Sequence, residues 1–194
     1  GMIQAGIGGG VESMSRTVMG YDSGAWTSDP AVAFHNYYAP QGIGADIIAT
    51  LDGFSREDVD SFAVESQRKA AHAWQNGYFK NSIVPVKDIL GEVLLDHDEH
   101  MRPGTTVESL AKLKPAFAIP RRADGTPTGL GSVTAGNSSQ TSDGAGALIL
   151  ASESAVKRFN LTPLARFVSY ASRGVPPHIM GIGPVEAIPA ALKA

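Results

Sequence analysis

An α/β fold is predicted by three features of this sequence. A short strand-like run ends in glycines at residues 3–8, a capped amphipathic helix begins at Ser55, and an apolar strand-like run covers residues 145–151. Strands and helices of ordinary length then alternate along the rest of the chain, as mixed layered domains require.

Each element has its own local reason. After residues 3–8 a turn is expected through Glu12 and Ser13. Residues 17–45 hold aromatics, Pro30, Pro40 and several glycines without clear periodicity, so they read mostly as loop, with a short helix at residues 46–51. Ser55 is an N-cap with Asp58 three residues on, a weaker form of the reciprocal capping box. Val59, Phe62, Ala63, Ser66, Ala70, Ala73 and Trp74 fall on one helical face, and Gly77 ends that helix. Residues 83–87 and 92–95 read as short strands around Gly91. Thr105 with Glu108 predicts a second capped helix, ending near Pro115. Ser152 caps a short helix to Phe159, closed by Asn160; residues 164–171 read as a strand and 185–193 as a helix.

The most informative segment is Ser132-Val-Thr-Ala-Gly-Asn-Ser-Ser-Gln-Thr-Ser-Asp-Gly144. Small side chains let a backbone approach a ligand closely. Hydroxyls and amides bond the ligand's polar groups without adding charge. Strand-like runs on both flanks argue for a ligand-lining connection rather than a flexible linker.

Composition excludes several classes. Hydrophobic content of 43% and charged content of 18% are those of an ordinary globular chain. No apolar run reaches membrane-spanning length, and no signal peptide opens the chain. The net charge of −3 argues against nucleic acid as the main partner. The chain has no cysteine, so disulfides and thiolate metal sites are excluded while the redox compartment stays open.

Charge is unevenly spread. Arg102, Lys112, Lys114, Arg121 and Arg122 follow an acidic stretch of Glu92, Asp96, Asp98 and Glu99. The basic stretch suits an anionic ligand such as a phosphate, and equally suits a solvated face. Asp96-His97-Asp98-Glu99-His100 has suitable donors but no familiar metal-ligand spacing. Gly6-Ile-Gly8-Gly-Gly-Val11 lacks the last glycine of a dinucleotide fingerprint. His35, His72 and His178 have no partners arguing for a hydrolase triad.

Thr134-Ala-Gly-Asn-Ser-Ser-Gln-Thr-Ser-Asp-Gly-Ala145 resembles the signature at the junction of the two halves of thiolases. Gly9-Gly-Val-Glu-Ser-Met-Ser-Arg16 resembles the turn ending that family's central N-terminal strand, and Ser55-Arg-Glu-Asp-Val-Asp-Ser-Phe-Ala-Val-Glu-Ser-Gln67 a helix of its CoA-binding loop domain. Arg102-Pro-Gly-Thr-Thr-Val-Glu-Ser-Leu-Ala-Lys-Leu-Lys-Pro-Ala-Phe117 and Ile179-Met-Gly-Ile-Gly-Pro184 are also similar, in order along the chain.

This resemblance implies a partial five-layered (αβαβα) thiolase-like fold. Residues 1–16 would end the N-terminal half, 17–131 form the CoA-binding loop domain, 132–160 supply the last strand and helix of that half, and 161–194 open the C-terminal half. It implies coenzyme A or acyl-CoA as substrate and no covalently bound cofactor. Arg102 and Ser109 would meet the adenosine end of CoA. Ser139 would hydrogen-bond the pantetheine arm, with Ala135 and Gly136 giving close backbone approach. Phe117 would wall the same arm, and Met180 would sit where the acyl chain ends. A homo-oligomer and a cytoplasmic location complete the expectation.

Departures from the family pattern matter equally. Thiolases use a Cys nucleophile in a Cys-Ala-Ser-Gly-like helix start, a Gly-His-Pro histidine, an Asn-Glu-Ala-Phe asparagine and a second Cys; none of these stretches is present. A serine does not replace a thiolate nucleophile by default. The chain thus reads as the middle of such an enzyme, with CoA recognition and no activity alone. A non-catalytic CoA-binding or interaction module is the alternative, and complementation by a separate chain carrying the Cys and His is a third. Pro40-Gln41-Gly42 stands where many biosynthetic members have His-Met-Gly, and the Asn-Ser-Ser-Gln run is nearer the degradative type. Residues 118–131 read as an extended link with an exposed turn at Asp124-Gly125, and Gly1-Met2 as a tag remnant before a start codon.

Overall fold

Residues 3–21, 23–117, 123–125 and 131–194 are described by the computed structural model of this protein. They mix strands and helices in two units, one of Gly1–Tyr38 with Thr141–Ala194 and one of Ala39–Gln140. The basic pair Arg121 and Arg122, most of the link over 118–131, and Gly1-Met2 lie outside the described residues.

The first unit is organised on a two-stranded ribbon. Strand β1 (Ala5–Ser13) pairs antiparallel with β4 (Asp143–Ala151), from Ala5↔Ala151 to Ser13↔Asp143. The strand therefore continues through the glycines and through Glu12, where a turn was expected. Glycines weaken a strand but do not end one whose ladder is complete. The turn falls later: Arg16 and Thr17 donate to the Ser13 carbonyl at 3.0 and 2.8 Å. Every residue of β4 is exposed, Leu148, Ile149 and Leu150 among them.

Two short helices, α1 (Ala25–Ser28) and α2 (Pro30–His35), occupy a stretch expected to be loop. Asp29 caps the second, accepting from the Ala31 amide at 2.8 Å, and Pro30 follows as a first helical residue with its angle preset. Helix α6 (Glu153–Arg158) starts at the expected Ser152 cap, and Asn160 closes it in the left-handed region at φ 49°. A 3-10 turn, Pro177–Ile182, leads into α7 (Gly183–Lys193). Residues 164–171 have the residue types of a strand but join no ladder among the described residues. Sequence propensity marks an extended segment; only a partner strand makes it a ladder.

In the second unit, α3 (Gln41–Asp52) begins five residues earlier than expected and ends at Gly53, φ 76°. Helix α4 (Arg56–Gln75) has the full Ser55–Asp58 capping box, with Ser55 N donating to Asp58 at 2.8 Å and Asp58 N donating to Ser55 Oγ at 3.1 Å. Gly77 follows it at φ 67°. Strands β2 (Val86–Lys87) and β3 (Val93–Leu95) pair around the turn at Gly91. Helix α5 (Val107–Ala111) is capped by Thr106 and Ser109, one residue on from the expected Thr105–Glu108 box. The interior of this unit holds Ala49, Ala71 and Leu110 together with the polar residues Asp60, Ser132 and Thr134. The α4 face that turns inward is centred on Asp60 and Ala71; Phe62, expected on it, is 79% exposed.

Candidate functional site

The turn over residues 132–138 is held by two carboxylates rather than by a strand ladder. Asp46 of α3 accepts from Ser132 N at 2.7 Å, Ser132 Oγ at 2.7 Å and Val133 N at 3.0 Å. Asp60 of α4 accepts from Asn137 Nδ2 at 2.9 Å, and that same nitrogen donates to the Ser132 carbonyl at 2.8 Å. Asn137 Oδ1 accepts from Thr134 N at 2.8 Å, so one amide closes the turn on itself. Ser138 Oγ donates to the Thr134 carbonyl at 2.6 Å, and Gly136 N to Thr134 Oγ1 at 3.2 Å. With Ser132 and Thr134 fully buried, this satisfaction is what lets polar backbone leave water.

Helix α5 presses on the turn from another direction. A methyl group at Gly136 would lie 2.6 Å from Leu113 Cδ1 and still nearer Leu110 Cδ2, so a larger residue there would make both leucine side chains shift. Arg56 anchors that helix: its Nε donates to Asp60 Oδ2 at 2.7 Å and its Nη2 to the Leu110 carbonyl at 2.6 Å and the Leu113 carbonyl at 3.2 Å. On α5 itself, the backbone amide at Glu108 and then the Thr106 hydroxyl hold the Glu108 carboxyl below its ordinary range.

Phe117 joins the same assembly. Ala116 N donates to the Val133 carbonyl at 2.8 Å, and the half-buried Phe117 ring lies so close to Gly42 that a Cβ there would fall inside it. Gly42 and Asp46 are one helical turn apart on α3 and so share a face. One helix therefore seats both the Phe117 ring and the start of the turn. Glycine at position 42 has a packing reason independent of the residues before it.

The sequence-derived residues fall as follows. Ala135 and Ser139 are exposed at the turn, and Ser139 caps no helix and forms no hydrogen bond among the described residues. Ser109 is exposed on α5, with its Oγ donating to the Thr106 carbonyl at 2.7 Å. Arg102 is exposed; its backbone amide donates to Gln67 Oε1 of α4 at 2.8 Å, and its guanidinium forms no ion pair among the described residues. Arg102, Ser109, Phe117, Ala135, Gly136 and Ser139 all belong to the Ala39–Gln140 unit. Met180, 52% exposed in the Pro177–Ile182 turn, belongs to the other. Asp96 and His97 pair at 2.8 Å on the surface, and no group of three potential metal ligands converges among the described residues.

Asp46, Asp60 and Asn137 were not singled out from sequence. A signal existed for two of them: Asp46 is the only charged residue between Gln41 and Leu51, and Asp60 follows Arg56 by one helical turn on the inward face.

A polar, glycine-bearing turn beside an aromatic ring can offer hydrogen-bonding groups, close backbone approach and apolar contact to a ligand. The family model described as thiolase, N-terminal domain, matches residues 1–154, and this chain belongs to the thiolase family. A 3-ketoacyl-CoA thiolase of Bacillus subtilis is 44% identical over 209 residues, which cover 100% of this chain and 50% of that protein. The crystal structure of the dimeric peroxisomal thiolase of Saccharomyces cerevisiae superposes with a TM-score of 0.81 at 35% identity, over 98% of this chain and 47% of the other. Human mitochondrial 3-ketoacyl-CoA thiolase in complex with CoA gives 0.76 at 38% identity, over 98% and 48%. The fold is accordingly a partial α/β thiolase fold, and the chain spans about half the length of the relatives it matches.

Proposed function

We propose that this chain is the coenzyme A-recognising segment of a thiolase that cleaves or forms 3-oxoacyl-CoA through a Cys acyl-enzyme. The observation that carries the reading is the 132–138 turn, pinned by Asp46 and Asp60 and opening at the exposed hydroxyl of Ser139. In this reading the Ser139 hydroxyl and the backbone at Ala135 and Gly136 meet the amides of the pantetheine arm, and Phe117 covers its hydrocarbon. Ser109 and the Arg102 guanidinium meet the phosphorylated adenosine end, where a fork of donors suits phosphate oxygens. Met180 bounds the acyl chain. The similarity to a human enzyme solved with CoA supports this ligand class. The domain reading also belongs to the proposal, with 17–131 as the loop domain between the N-terminal-half segments 1–16 and 132–160, and 161–194 as the start of the C-terminal half.

Bond making needs a thiolate, and the sequence contains no cysteine. The chain alone therefore binds CoA and turns nothing over. That absence equally favours a second reading, a CoA-binding module with no catalytic partner. Titration calorimetry with CoA is expected to show binding that Ser139→Ala and Arg102→Ala weaken; no heat at about millimolar CoA would end the proposal. Thiolysis by the purified chain would end its claim of inactivity. Restoration of activity by a separate chain bearing the Cys and His motifs would favour the enzyme segment over the stand-alone module. Oligomer formation and a cytoplasmic location are parts of the same proposal, open to sedimentation and cell fractionation; among the described residues no helix is long and apolar enough to cross a membrane.

A further inference from the structure

We infer that Asp60 is a positioning residue that holds the two ends of the coenzyme site at a fixed spacing, so that one intact CoA is bound better than its separate halves. The inference rests on the coenzyme reading above. Asp60 is 1% exposed, and both of its oxygens are used in different directions. Through Oδ1 it holds Asn137, whose amide closes the turn that leads to Ser139. Through Oδ2 it holds Arg56, which grips the Leu110 carbonyl of the helix that carries Ser109 and the Leu113 carbonyl just past its end. Leu110 of that helix, with Leu113 just past it, lies against Gly136, returning to the same turn. The turn and the helix are thus joined by a closed circuit with one buried carboxylate in it. Neither Asp60 nor Arg56 needs to touch the ligand for this to act.

Linking two weak binding fragments gains affinity only while their sites keep a spacing that the linker spans. A loosened circuit would leave each subsite formed but let the spacing wander. The loss would then fall on the linked ligand and spare the fragments, which general destabilisation does not do.

The test compares CoA, pantetheine and adenosine 3′,5′-diphosphate on the full chain by calorimetry or ligand-detected NMR, with thermal melting alongside. In Asp60→Asn, affinity for CoA is expected to fall by about tenfold or more while affinity for each fragment stays within about twofold. Arg56→Lys keeps the charge but cannot bridge the carboxylate and both carbonyls, and is expected to show the same split; it decides the matter if Asp60→Asn does not fold. Equal losses for all three ligands, or no loss for any, would overturn the inference while leaving CoA binding by the parent chain intact. Failure of the parent chain to bind CoA would overturn the coenzyme reading and this inference with it.

Discussion

The cradle over residues 132–138 and the ribbon of β1 and β4 are neighbours in sequence and opposites in physics. The cradle is polar, yet Ser132 and Thr134 are buried and their groups are satisfied by Asp46 and Asn137. The ribbon is rich in Ala, Leu, Ile and Gly, yet β4 is exposed along its whole length. Ile7 and Val11 of β1 are 78% and 79% exposed. Apolar content alone does not bury a strand; a covering layer does, and a lone two-stranded ribbon is marginal in water. The polar turn, by contrast, has every partner it needs inside its own unit. Substitutions should therefore hurt where the chain is polar and be tolerated where it is apolar, the reverse of the usual expectation for a globular core.

The strongest way to break this contrast is Asp60→Ala. It strands the Arg56 guanidinium, the Asn137 amide and the Leu110 end of α5 at once. Removing one partner of a buried pair costs about 3 kcal/mol, read as a lower urea midpoint; an unchanged midpoint would mean that the network is ornamental. Next in size is one substitution made in both regions. Gly136→Ala makes the buried Leu110 and the more exposed Leu113 shift their terminal methyls and should cost about 1 kcal/mol by overpacking. Gly10→Ala in β1 meets nothing within 4 Å and should be neutral or stabilising by up to about 0.5 kcal/mol, because it restricts the unfolded chain. Equal costs at the two positions would erase the distinction.

What the sequence disclosed follows the same division. Local chemistry was legible: Ser55 with Asp58, Gly77, and Ser152 with Asn160 each act within a few residues, and each is where the pattern puts it. The Thr105–Glu108 box slipped by one residue because Thr106 and Ser109 offer the same chemistry. The glycine-and-hydroxyl turn was legible as an ordered connection, but what holds it was not. Its anchors lie 86 and 77 residues away in Asp46 and Asp60, and a lone acid on a helix reads as solvated until its partner is known. The segment 164–171 failed for the mirror reason, since extended propensity was present and, among the described residues, a ladder partner was not. Long-range pairing is what one-dimensional periodicity cannot carry.

The smallest effect probes a charged anchor at one end of the ribbon. Asp143, at the start of β4, accepts from the Ser15 amide at 2.9 Å and its hydroxyl at 2.5 Å. The Ser15 hydroxyl first, then its amide, hold the Asp143 carboxyl below its ordinary value of 3.8. Because the folded value lies under the unfolded one, the charged form favours folding. Its contribution is complete above the unfolded value and fades as pH falls through the folded one. Asp143→Asn should therefore differ from the parent in urea midpoint above the ordinary carboxyl value of 3.8, with the gap narrowing as pH falls below it. The effect should be modest, since this carboxylate is solvent-exposed and its bonds compete with water. A gap that stayed constant across that range would show that the ribbon's entrance is held by shape rather than by charge. That end of the ribbon would then lack an electrostatic tie, and its contrast with the cradle would be sharper.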